Sequence, residues 1–212
     1  MWFVSVAAGA FMKLSGIGLK STSLTILPIV VLTVACAPLV PARNQATPQD
    51  RFWRSLHGIC DRAFAGRIAE TIPPDTSFAG KSLVMHVRSC SDREVRIPFH
   101  VGENRSRTWV VTRTPSGLRL KHDHRHADGS EDRITRYGGD TRNSGTAYSQ
   151  DFYADSLTAS LIAAAATNVW TIEVRGGNAF VYALRREGTE RRFRVQFDLT
   201  RPVAAPPAPW GH

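Results

Sequence analysis

The chain has 212 residues, enough for one domain with a sizeable core plus a leader, and it carries 27 Lys and Arg against 18 Asp and Glu, a formal net charge of +9. Removing the leader, with Lys13 and Lys20, leaves 25 of the 27 basic residues against the same 18 acidic ones, the first of which is Asp50, a net +7. That excess is moderate and scattered, without a basic run interleaved with aromatics, which argues against nucleic acid as a partner.

The N-terminus has the clearest pattern. From Met12 it reads as a secretory leader: Lys13 and Lys20 form a basic region, Leu24 to Val34 an apolar run, and the segment closes on Thr33-Val34-Ala35-Cys36. Residues 1–11 add no charge, so translation is expected to start at Met12, with 1–35 as the whole signal or leader. The stretch Leu32-Thr33-Val34-Ala35-Cys36 resembles the lipobox of bacterial lipoproteins, although Thr33 stands where that family usually has Leu. The resemblance implies that the Cys36 sulfur is diacylglycerylated and the peptide cut before it, which gives a membrane contact through a lipid anchor. Ala37 rather than Asp follows the cysteine, and the resemblance then implies an outer-membrane lipoprotein facing the periplasm. An ordinary cleaved signal, giving a secreted protein, and an uncleaved anchor helix are the alternatives.

With Cys36 lipidated, Cys60 and Cys90 remain as an even pair in an oxidising compartment, where a disulfide is the default reading. Neither lies in a Cys-x-x-Cys pair.

Residues 36–49 are rich in Pro and Ala and read as a tether to a single β-rich domain over 50–200. A helix is expected to start with Thr47 as N-cap, Pro48 in the first helical position and Asp50 in the first turn. Phe52, Trp53, Leu56, Ile59, Cys60, Phe64 and Ile68 recur at helical spacing, so this N-terminal helix is amphipathic and is expected to run until the Thr71 to Gly80 segment ends it.

From Ser82 the period changes to two. Leu83, Met85 and Val87 alternate with polar residues, as do Val95, Ile97, Phe99 and Val101, and each segment reads as a half-buried antiparallel strand. His86 and His100 fall on the polar phase and are expected at the surface. Pro98 belongs at an edge or bulge.

The hairpin around Thr114-Pro115-Ser116-Gly117 admits two registers. Proline at the first turn position and glycine after it suit a type I turn with a bulge, which sets Val110 and Thr112 beside Leu118 and Leu120. A two-residue loop instead aligns Trp109 and Val111 with His122 and Leu120, the better apolar pattern. A slip of one residue decides which face accompanies the histidines that follow.

Beyond this hairpin, 127–132 reads as a polar loop, 133–137 as a short strand and 138–150 as a long exposed loop. Asp155 to Ala166 reads as a small buried helix. Trp170, Ile172 and Val174, then Phe180, Tyr182 and Leu184, then Phe193, Val195, Phe197 and Leu199 mark three more strands joined by short turns. Residues 201–212, with four prolines, form an extended tail. The fold class is therefore mainly β: an antiparallel meander closing into a barrel or strongly curled sheet, with an N-terminal amphipathic helix and a short inserted helix.

At the level of architecture this arrangement resembles the calycin or lipocalin-like barrels, though their Gly-x-Trp signature is absent, and no ligand or residue role transfers. The segments Arg96-Ile97-Pro98-Phe99-His100-Val101-Gly102, Lys121-His122-Asp123-His124-Arg125-His126 and Arg136-Tyr137-Gly138-Gly139-Asp140-Thr141 are similar to an uncharacterised family of secreted proteobacterial proteins. That similarity implies an address and no activity.

The concentrated chemistry is the row His122, His124 and His126, which share one strand face with Leu118 and Leu120. Neutral imidazoles at i and i+2 present two ring nitrogens to one ion, so a divalent metal is the candidate cofactor, with Glu131 or Asp140 completing the site. Three successive same-face residues span roughly 13 Å, too far for all to bind one ion without a bend. The bland reading is a polar strand end at the sheet rim. No Gly-x-Ser-x-Gly, His-Glu-x-x-His or phosphate-cradling loop is present. The expected function is thus non-catalytic: an exported envelope module binding a small apolar ligand or an envelope protein. The alternatives are a metal-binding protein using the histidine row and a structural envelope protein.

Overall fold

A computed structural model describes residues 45–212; the leader, Cys36 and most of the tether lie outside this range. The chain enters through helix α1, Pro48–His57, capped as its sequence suggests: the Thr47 side chain accepts from the Asp50 N–H at 3.0 Å and the Asp50 carboxylate accepts from the Thr47 N–H at 3.1 Å. The helix ends at Gly58, much earlier than helical spacing through Ile68 implies. Phe64 and Ile68 lie on strand β1, Ala63–Ile72. The expectation fails because a spacing of four satisfies both a helix and a strand, so Phe64 and Ile68 fit either period.

After β1, a 3-10 turn at Thr76–Phe78 leads to β2, Leu83–His86, and the two-residue β3, Ser89–Cys90. Next come β4, Glu94–Val101, and the hairpin of β5, Asn104–Thr114, with β6, Gly117–His124. Strands β7, Tyr137–Asp140, and β8, Ser149–Ala154, precede helix α2, Ser156–Leu161. Three long strands complete the sheet: β9, Asn168–Arg175, β10, Ala179–Arg186, and β11, Arg192–Val203. Neighbours pair antiparallel throughout, β1 returns to β11, and β2 pairs with both β1 and β4, so ten strands form a closed barrel, while the two-residue β3 pairs with β4 alone.

The interior is filled by side chains. Val95, Ile97, Trp109, Val111, Leu118, Leu120, Phe152, Ile172, Val174, Phe180 and Phe197 are all buried and belong to one core cluster. Phe52, Trp53 and Leu56 of α1 plug the lower end, and Arg113 stacks over the Trp53 ring at 5.0 Å. Cys60 and Cys90 form a disulfide across 30 residues, tying the segment after α1 to β3.

The hairpin takes the two-residue register: Thr114 pairs with Gly117, Val111 with Leu120 and Trp109 with His122. Burial of Trp109 and Val111 outweighs turn chemistry here. Pro115 and Ser116 keep negative φ, and the mismatch with strand twist is taken up at Gly117, whose φ is 141°.

Three other local expectations are corrected. Residues 133–136 are not a strand, because Arg136 turns through φ 61°; the strand is the following Tyr137–Asp140. Within it Gly138 and Gly139 allow β6 and β8 to close in: a Cβ on Gly138 would strike the Leu120 carbonyl, and one on Gly139 the Tyr153 carbonyl. Helix α2 is short and largely exposed, with Leu157 at 43% and only Thr158 buried. Finally, His86 and His100 are 7% and 4% exposed despite their outward phase. The chain after β11 crosses that outer face: the Arg105 guanidinium donates to the Ala208 carbonyl at 2.9 Å, the Trp210 N–H to the Arg105 carbonyl at 3.1 Å, and Pro209 is buried.

Candidate functional site at the barrel mouth

Alternation along β6 carries Leu118 and Leu120 into the core and delivers His122 to the same interior, where it is 2% exposed. Its Nδ1 lies 3.1 Å from the Tyr137 carbonyl, its pairing partner on β7, and its Nε2 lies 2.8 Å from the Tyr182 hydroxyl on β10. A carbonyl only accepts, so Nδ1 carries the proton, and neutral Nε2 accepts from the tyrosine. The imidazole also stacks on the Tyr137 ring, centroids 4.4 Å apart and planes 9° off parallel, with Trp170 tilted against it at 5.3 Å.

One step nearer the rim, His124 Nε2 lies 3.1 Å from the Tyr137 hydroxyl. Burial dominates the electrostatics of all four groups. It pushes His122 down to about 3 and His124 to about 4, the latter helped by nearby Arg107. It pushes Tyr137 up to about 12 and Tyr182 well above the usual phenol value. The network is therefore neutral over the ordinary pH range.

Between this network and the Thr76–Phe78 turn lies a cavity of about 160 Å³. Its apolar wall is Phe78, Phe99, Trp109, Leu184 and Phe193, with Trp109 stacked between Phe99 at 4.9 Å and Tyr182 at 4.3 Å. Arg107, Arg191 and Asp75 also line it. A larger depression of about 620 Å³ lies on the outside of β1 and β11, away from the histidines, lined by Arg67, Gln196, Asp198 and Arg201.

Of the residues the sequence singles out, the fold brings His122 and His124 to the mouth and leaves the others apart. His126 lies past the end of β6, its N–H donating to the Ser130 carbonyl at 2.9 Å. Glu131 pairs with Arg125 at 3.2 Å and with Arg136, and Asp140 is held in a bidentate pair by Arg119 at 2.6 and 2.8 Å. Among the described residues no three His, Cys, Asp or Glu side chains gather around a common point fit for a metal ion. The physical reason is the end of β6 at His124, which turns His126 out of line, together with the arginines that already occupy both carboxylates.

Sequence reasoning missed Tyr137, Tyr182, Arg107 and Arg191 as parts of this site. Tyr182 had a signal, since it shares the inward phase of β10 with Phe180 and Leu184. Arg191 had none, because it lies in the turn before β11. No protein-family model matches the chain, and no curated protein or solved structure matches it significantly.

Proposed function

We propose that this protein is a non-catalytic module of the cell envelope that holds a small apolar ligand at the barrel mouth. The observation that carries this reading is the cavity of about 160 Å³ walled by Phe78, Phe99, Trp109, Leu184 and Phe193. An apolar cavity of roughly 150 Å³ is large enough to take benzene, so the space suits a ligand of about one ring. Binding rather than catalysis is favoured because both ring nitrogens of His122 already have partners within the protein.

Export and anchoring rest on the sequence: the leader over 1–35 and the lipobox-like segment ending at Cys36. The Cys60–Cys90 disulfide agrees with an oxidising compartment.

Trp109 forms part of the cavity wall, so its fluorescence reports occupancy directly. Titration with toluene, benzyl alcohol and benzoate should give a saturable change for at least one of them. Leu184→Phe, which fills the space, should abolish that change while the far-ultraviolet spectrum stays the same. A wild-type protein silent to all three probes, or a response that survives in Leu184→Phe, would overturn the reading.

A further inference from the structure

Two guanidinium groups at the same cavity make no close ion pair among the described residues, although both act at longer range on the Asp75 carboxylate. Arg107 and Arg191 both line the cavity, and among the described residues neither makes an ion pair with a carboxylate. Arg107 donates only to the neutral Asn104 side chain at 3.1 Å and the Ser106 hydroxyl at 3.5 Å. The Nε of Arg191 is buried with no hydrogen-bond partner among the described residues. Several arginines elsewhere on the barrel are paired: Arg96 and Arg125 hold Asp123, Arg119 holds Asp140, and Arg201 holds Asp198.

A buried, unpaired donor on a charged group is costly to leave unmet, so Arg191 Nε, beside the Arg107 guanidinium on the same cavity, calls for an acceptor. Asp75 lines the cavity too, and its own side chain is engaged with the Ser77 N–H at 2.9 Å. The ionised lining groups therefore sum to two cations less one anion, a net single positive charge. The neighbouring His122 and His124 are neutral and do not change it.

We propose that the mouth cavity is a site for a compact organic carboxylate of about one ring, its apolar body against Trp109, Phe99 and Phe193 and its carboxylate on Arg107 and Arg191. This rests on the mouth-binding reading above and assigns the ligand's chemical class. Size and charge act together: the volume limits the body to about one ring, and the planar guanidinium fork matches a carboxylate.

The test compares benzoate with benzyl alcohol, similar in shape and differing in charge, by Trp fluorescence and calorimetry on the wild-type protein. Benzoate should bind at least about tenfold more tightly, and the gap should narrow as salt rises. Arg191→Gln and, separately, Arg107→Gln should each weaken benzoate by about tenfold and leave benzyl alcohol unchanged. Equal binding of the two probes, or a benzoate preference untouched by both substitutions, overturns the carboxylate assignment while leaving the mouth as a binding site. Absence of binding by either probe, or binding that persists in Leu184→Phe, overturns both.

Discussion

The hydroxyl of Tyr182 and Nε2 of His122, both buried beside the mouth cavity, lie 2.8 Å apart, and the tyrosine is the donor. Their bond joins β10 to β6 across the barrel, so the polar pair is part of the core it interrupts. Replacing Tyr182 by Phe removes the donor and leaves a buried imidazole nitrogen unmet. The expected loss is about 1–3 kcal/mol, read as a lowered urea midpoint with an unchanged slope.

Acid should destabilise the fold before its carboxylates titrate. His122 titrates near its ordinary 6.5 when unfolded and at about 3 when folded, because burial disfavours the cation. Between those values the unfolded chain binds a proton that the folded chain does not, so stability falls as pH drops from 6.5 and levels off near 3. From pH 7 to pH 5 this contributes roughly 2 kcal/mol from His122. His124 and His100, each lowered to about 4 mainly by burial, act in the same direction. Urea midpoints at the two pH values, in wild type and in His122→Asn, check it; identical midpoints for the wild type would sink the account.

Gly139→Ala should prevent closure of the barrel. Its Cβ would occupy the position of the Tyr153 carbonyl on β8, and a backbone atom in a paired strand has nowhere to move. A loss of at least about 3 kcal/mol is expected, seen as a large drop in thermal midpoint or a failure to accumulate. An alanine at Gly177, where nothing lies within 4 Å, serves as the comparison. It should cost much less, through its positive φ alone.

Removing the Cys60–Cys90 bridge with a Cys60→Ser, Cys90→Ser double variant should lower stability by about 3 kcal/mol, because the bridge closes a loop over a separation of 30 residues. The far-ultraviolet spectrum should persist, since both strands next to the bridge are paired elsewhere in the barrel. Thermal melts with and without reductant provide the measurement.

Deleting the segment after Val203 should loosen the outer face of β4 and β5 without opening the barrel. His212 lies 3.2 Å from Asp123 and 3.0 Å from Arg96. Burial acts to raise the Asp123 carboxyl, and Arg125, His212 and Arg96 together hold it below its usual range. Hydrogen exchange should quicken at outward positions such as Thr108, with inward positions such as Trp109 protected as before.

Much of this architecture is written locally. Thr47, Pro48 and Asp50 specify the start of α1 through hydrogen bonds spanning three residues. Strict alternation in Val95 to Val101, Trp170 to Val174 and Phe193 to Leu199 specifies strands and their inward faces, because a pleat repeats every two residues whatever lies opposite. Closure follows from the number of such strands in succession. The pairing of Cys60 with Cys90 also follows, once Cys36 is set aside.

Elements whose patterns satisfy two periods, or whose partners are distant in sequence, were decided by the assembled barrel. Phe64 and Ile68 fit either a helix or a strand until β1 paired with β11 and β2. The hairpin register was balanced between Pro115 and Trp109 until the core took Trp109. The site is the extreme case. His122 stands out in the sequence, but Tyr182 lies 60 residues further along, and Arg191 belongs to a turn with no pattern of its own. Side-chain alternation is a property of a single strand and can be read from it; which strands stand across the barrel, and which arginines are left without a closely paired carboxylate, emerge only when non-local pairing closes the ring.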